Sequence, residues 1–194
     1  MKYDMIQSKK DLKIYIRQDN EKYLGNKVAW KRGEVLKDFF LCNEKFLIYR
    51  FKVELRKVEY YKNVRHDVLG KMLFFWHFFL FKRLSWKLKC VIYPNTVGSG
   101  LQFFHIGSFI HIEKDCRIGK NFCFPGGVVL GKGKEGVCEV TIGDNCFVGI
   151  NTTILGKVNI GNNVTIGAHS LVLTDIPDKA VAVGSPSKII KIKN

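Results

Sequence analysis

Between Ile106 and Val172 a bulky apolar residue returns at every sixth position: Ile106, Ile112, Ile118, Phe124, Leu130, Ile142, Val148, Ile154, Ile160, Ile166 and Val172. The frame misses once, at Gly136 inside "GKGKEGVCEVT", and resumes in phase. Glycine follows the aliphatic at Gly107, Gly119, Gly131, Gly143, Gly149, Gly161 and Gly167. Small or β-branched residues recur four positions after it, at Cys116, Val128, Cys146, Thr152, Val158, Val164 and Ser170. A period of six is the signature of a parallel β-helix. Each unit makes one flat face of a triangular coil, with its aliphatic stacked inside the prism. Backbone groups along each face bond to the next coil, so a single coil is not stable alone. The corners turn sharply. Gly and Asn tolerate the dihedrals needed there, and Asn145, Asn151, Asn162 and Asn163 are the corner candidates. The stretch 131–141 reads as a loop that replaces one face and projects outward, where function tends to be built.

Residues 1–89 follow a helical period instead. In "SKKDLKIYIRQDNEKY" Ser8 is placed to cap a helix, with Asp11 three residues on. Gly25 and Gly33 punctuate. "EVLKDFFLCNEKFLIYRFKVELRKVEYYKN" then carries Leu36, Phe39, Phe40, Phe46, Leu47 and Phe51 close to helical spacing. A third helix is expected from about Asp67 to Lys89. The organisation expected is a helical region over 1–89, a β-helix over 90–176 and a C-terminal strand and tail over 177–194.

Charge narrows the partners. The net charge of +15 favours anionic ones, but no basic run suggests a nucleic-acid arm, and nucleic acid is set aside. No GxGxxG or P-loop pattern supports a nucleotide fold, since the "GKGKEG" at 131–136 falls inside the hexapeptide frame, and no His/Cys/Asp set has zinc spacing, so no metal is expected. The six cysteines form no CxxC pair, and "MKYDMIQSKKDLKIYI" is no secretory signal. Reduced thiols in a cytoplasmic protein are the expectation. The run "MLFFWHFFLF", Met72–Phe81, is shorter than the roughly 20 residues a spanning helix needs. It reads as a helix buried against the rest of the protein or a neighbouring subunit. Lys71, Lys82 and Arg83 beside it leave open the alternative of a peripheral helix at the inner face of a membrane.

The repeat and its ending "IGAHSLVLTDIPDKAVAVGSPSKIIK" resemble the hexapeptide-repeat acyltransferases, and "PNTVGSGLQFFHIGSFIHI" is similar to a segment of their serine acetyltransferase subgroup. The resemblance covers roughly residues 70–194. It implies an all-β left-handed parallel β-helix with an α-helical N-terminal region, assembled as a homotrimer. It also implies transfer of acetyl from acetyl-CoA to a hydroxyl, with no covalent enzyme intermediate. His105 stands where the subgroup has its general base, and a neutral imidazole suits that work. Backbone N–H groups at the Gly131 turn are implied to polarise the thioester oxygen. Lys132 and Lys188 are implied at the CoA phosphates, with Lys134 and Lys191 as further candidates. Gly149, Gly167 and Ala168 are small where a pantetheine arm would approach, and His169 lies near that path.

This sequence also departs from the subgroup. Phe104 precedes His105 where the subgroup has aspartate. "KCVIYP", with Cys90 and Val91, lacks its upstream carboxylate, and Cys138 and Glu139 replace its Arg-His pair. The acceptor expected is therefore a saccharide hydroxyl of the capsule, O-antigen or exopolysaccharide type. Tyr93, Phe103 and Phe104 are candidates to stack on the sugar, and Glu139 to orient His105 or contact a sugar hydroxyl. The alternatives are a serine O-acetyltransferase of cysteine biosynthesis and a non-catalytic β-helix scaffold. His111, one period beyond His105, is expected to point outward without a chemical role, and His66 and His77 to be structural.

Overall fold

The computed structural model describes residues 5–24, 41 and 43–193. Gly25, Gly33, Leu36, Phe39, Phe40 and Cys42 lie outside the described residues. The described part opens with helices α1 (Lys9–Leu24), α2 (Glu44–Val64) and α3 (Val68–Leu88). Ser8 Oγ accepts from the Asp11 amide at 3.1 Å, the cap expected from sequence. Asn43 caps α2 through the Lys45 amide, and Asp67 caps α3 through Gly70. Lys89 ends α3 in the left-handed region, with φ 51°.

A parallel β-helix follows, with three faces. Face one stacks β1 (Cys90–Ile92), β3 (Ile110–Ile112), β6 (Val129–Gly131), β9 (Thr153–Leu155) and β12 (Leu171–Val172). Face two stacks β4 (Arg117–Ile118), β7 (Glu139–Ile142) and β10 (Lys157–Ile160). Face three stacks β2 (Gln102–Phe103), β5 (Cys123–Phe124), β8 (Phe147–Val148), β11 (Thr165–Ile166) and β13 (Ala180–Val183), and β14 (Lys188–Ile192) closes it antiparallel to β13. The parallel stack thus runs on through β13, inside the stretch expected as a C-terminal strand and tail.

The inward residues form continuous columns: Ile92, Ile112, Leu130, Ile154 and Val172 on face one, Ile118, Ile142 and Ile160 on face two, and Phe103, Phe124, Val148, Ile166 and Ala182 on face three. Phe103 and Phe124 stack with ring centroids 5.5 Å apart and planes 7° apart. Burying one such side chain is worth about 1.5–3 kcal/mol, so the prism is itself the main hydrophobic core.

Two insertions break the period, and both correct the sequence frame. Phe103 and Ile112 are consecutive inward residues nine positions apart, where Phe124 and Leu130 are six apart. Ile106 is therefore not an inward residue. It sits half-buried on a corner bulge and packs on the core from outside. Leu130 and Ile142 lie on consecutive faces one and two, so the segment between β6 and β7 adds a corner loop and replaces no face. Asn145, Asn151 and Asn163 take left-handed corner dihedrals, with φ of 55–57°. Asn162 does not. Its Oδ1 accepts from the Asp144 amide at 2.8 Å and lashes one coil to the next.

A buried ionic latch joins the helices to the first coil. Arg56 of α2 is fully buried, and its guanidinium meets Asp19 of α1 at 2.7 Å and Glu59 at 2.9 Å. It also donates to the carbonyls of Val97 at 2.8 Å and Gly98 at 2.7 Å. Asp19 Oδ1 in turn accepts from the amides of Gly100 and Leu101 at 2.7 and 2.9 Å, and Lys52 donates to the Asp19 carbonyl. Burial opposes the Arg56 charge, and Asp19 and Glu59 more than offset it, raising its pKa.

Helix α3 has two different sides. One side is buried as expected, through Gly70, Phe81, Ser85 and Leu88. The other is not: Phe75 is 67% exposed, Trp76 59% and Trp86 85%. Among the described residues no helix is long and apolar enough to cross a membrane.

Candidate active site

The corner between faces three and one forms a continuous edge along the prism, and Phe104, His105, Gly149, Gly167, Ala168 and His169 lie on it. The first coil contributes the bulge 104–109 with His105. The second contributes Pro125, Gly126 and Gly127, the third Gly149, Ile150 and Asn151, and the fourth Gly167, Ala168 and His169. Backbone bonds zip these corners together: His105 N donates to Pro125 O at 2.9 Å, Asn151 N to Gly126 O at 3.2 Å and His169 N to Ile150 O at 2.9 Å. A Cβ on Gly149 would stand 2.3 Å from the Ala168 amide nitrogen, so glycine there already serves the close stacking of two coils. Ala168 and Ile150 remain exposed beside it.

Three extra residues push His105 off the coil. Its side chain is 66% exposed, and Nδ1 lies 3.9 Å from Glu44 Oε1. The same carboxylate oxygen accepts from the Ile106 amide at 2.7 Å, which pins the bulge to the first residue of α2. At 3.9 Å the ring and carboxylate are not hydrogen-bonded directly. The carboxylate places a negative charge beside the ring. Ser108 and the His105 carbonyl crowd Gly126, leaving no room for a larger residue under the bulge. Sequence reasoning missed Glu44, which is distant in the chain and was read as mid-helix. The Asn43 cap, which starts α2 at Glu44, is the signal that could have exposed it.

Other candidates lie elsewhere. Glu139 begins β7 on face two and pairs with Lys157 at 3.0 Å; the carboxylate beside His105 in this chain is Glu44. Gly131 and Lys132 lie at the next corner, between faces one and two, where Gly133 N donates to Val137 O to close the loop. Lys188 is exposed at the start of β14. Phe104 is half-buried beside His105, and its amide reaches Pro125 O at 3.3 Å. Phe103 is fully buried in the prism and is not available to a ligand. Tyr93 lies with His111 instead, ring centroids 6.4 Å apart. His111 points outward on face one, as expected, stacks on Phe109 and meets Glu113 at 3.4 Å. His77 is held by Glu54 at 2.6 Å. Burial pushes the thiols of Cys90, Cys116 and Cys146 up, away from the thiolate form a nucleophile needs.

The coil is a parallel β-helix built on a six-residue period. Residues 139–174 match the family described as bacterial transferase hexapeptide (six repeats), and residues 110–133 match the hexapeptide repeat of succinyl-transferase. Serine acetyltransferases are among its relatives. The enzyme of Staphylococcus xylosus is 38% identical over 102 residues, covering 52% of this chain and 47% of the relative. That of Staphylococcus aureus strain MW2 is 37% identical over 102 residues, covering 52% and 48%. The chain thus spans about half the length of these relatives. Among solved structures, Neisseria gonorrhoeae serine acetyltransferase in complex with serine aligns with a TM-score of 0.66 and 27% identity, over 95% of this chain and 71% of that one. The Brucella abortus strain S19 enzyme in complex with coenzyme A aligns with a TM-score of 0.68 over 96% and 70%; at 20% identity it speaks for the fold alone.

Proposed function

We propose that this chain transfers an acetyl group from acetyl-CoA to a hydroxyl, with His105 as general base. The observation that carries the reading is the exposed His105 ring, held on a corner bulge beside Glu44 at the head of a smooth edge. Along that edge exposed Ala168 and Ile150 offer a pantetheine arm a small, apolar surface, while Gly149 and Gly167 face the next coil and serve its close stacking. Lys188 and Lys132 are the proposed phosphate contacts.

The acceptor hydroxyl gives its proton to the imidazole as its oxygen attacks the thioester carbonyl carbon. A C–O bond forms, the C–S bond breaks, and the proton passes to the departing sulfur. Glu44 is the proposed positioning group, through its bond to the Ile106 amide.

In this reading the working assembly is a homotrimer. The outer positions of face one are largely apolar and half-buried, at Val91, Val129 and Leu171, whereas face two presents exposed Arg117, Glu139, Lys157 and Asn159. Packing the edge of one copy against its neighbour would bring the Gly131 corner, with its backbone N–H groups, toward the partner's edge.

L-Serine is the acceptor favoured by the relatives, which are named serine acetyltransferases. A saccharide hydroxyl is the second reading. It is favoured by the bulge itself, where Phe109 is 55% exposed and Phe104 adjoins the base in place of a carboxylate. Thiol release from acetyl-CoA, measured with L-serine and with nucleotide sugars and oligosaccharides, separates the two. Turnover with serine is the expected result, turnover with sugars alone selects the second reading, and no turnover with any hydroxyl acceptor overturns both.

A further inference from the structure

We propose that the outer face of α3 docks flat on an anionic membrane surface. At 100° per residue, Val68, Met72, Phe75, Trp76, Phe79 and Trp86 fall on one stripe, and all are exposed. Lys71 and Lys82 run along one margin of that stripe, Lys87 along the other, and Arg83 within it. The helix carries no Asp or Glu.

An apolar stripe with aromatic residues and flanking cations is the pattern of a helix lying in the lipid headgroup region. Trp is the side chain best suited to that depth, and cations on both margins are attracted by an anionic leaflet. Twenty-one residues give a stripe about 30 Å long, and the opposite side of the helix is fixed to α2 and β1 through Phe81, Ser85 and Leu88. The face is therefore presented by a rigid body, in a chain of net charge +15. A second copy docking through the same face would bring two sets of cations together with no carboxylate on either helix, so charge complementarity selects lipid over self-association.

The test is sedimentation of the full chain with phosphatidylcholine vesicles, alone and with about a third phosphatidylglycerol. It reads no acetyl transfer, so it stands or falls apart from the proposed activity. Binding is expected to the anionic vesicles, weakening about tenfold or more in Trp76→Asp/Trp86→Asp and in Lys71→Glu/Lys82→Glu, and weakening with salt. These side chains are exposed, and an unchanged circular dichroism spectrum checks that each variant folds. The proposal is overturned if the parent chain fails to sediment with anionic vesicles. It is equally overturned if the variants bind as the parent does, or if Trp76→Asp/Trp86→Asp instead breaks a soluble dimer that ignores vesicles.

Discussion

His105→Ala is expected to lower acetyl transfer by about 10²–10⁴-fold, the range removed with a positioned general base, while the melting temperature stays within a degree or two of the parent's. The two halves of this expectation have separate origins. The ring is two-thirds exposed, so truncating it opens no cavity in the prism. The bulge is held by backbone groups, through His105 N to Pro125 O and Ile106 N to Glu44, and these survive the substitution. Glu44→Gln keeps an oxygen for the Ile106 amide but removes the charge, so a smaller loss is expected in the same assay. Initial rates of thiol release, beside a thermal melt, check both variants. A His105→Ala chain with parental rates would remove the histidine from the chemistry and favour a base supplied from elsewhere.

Arg56→Met is expected to cost about 3–5 kcal/mol, the usual penalty for removing one partner of a buried ionic set. For a chain of this size that lowers the melting temperature by roughly 10 °C or more. Arg56 meets two buried carboxylates, the buried Val97 carbonyl and the half-buried Gly98 carbonyl. Without it Asp19 and Glu59 stay buried together, with Lys52 and the Gly100 and Leu101 amides near Asp19. Burial has already pulled the Lys52 ammonium down to about 7, against the pull of Asp19, so it substitutes poorly for a guanidinium. The damage is expected to spread to the active corner, because Asp19 fixes the amides of Gly100 and Leu101 just before β2 and the bulge. Chemical denaturation followed by circular dichroism gives the free energy. A change below about 1 kcal/mol would mean that the latch contributes little and that the prism alone holds the first coil.

The coil was legible in the sequence because its physics is periodic. Each inward residue from Ile112 to Val172 meets the same requirement, to fill a narrow prism between identical neighbours. The insertions were harder to read. Ile106 satisfied the six-residue frame by accident, because a three-residue bulge followed an inward Phe103, and only the pairing of β2 with β5 shows which aromatic points inward. The spacing of His105 and His111, equal to the coil period, is likewise no property of the coil: one sits on the bulge and the other on face one. Glu44 and Arg56 were invisible for a different reason. Apart from Glu59, three residues from Arg56, their partners lie far along the chain, and no local pattern announces contacts between a helix and a distant segment. On α3 the apolar run was legible as an interface, but its length and composition did not say which side faces this chain and which faces outward. The charges around it already marked the other side as a separate surface.

Calorimetric titration of acetyl-CoA into the full chain tests the central claim most directly, because it needs no knowledge of the acceptor. The account predicts saturable binding at about one equivalent per chain, as expected for a groove repeated along each edge of a symmetric assembly. The absence of any binding heat across a range of temperatures would contradict it, and would leave the β-helix as a scaffold without this chemistry.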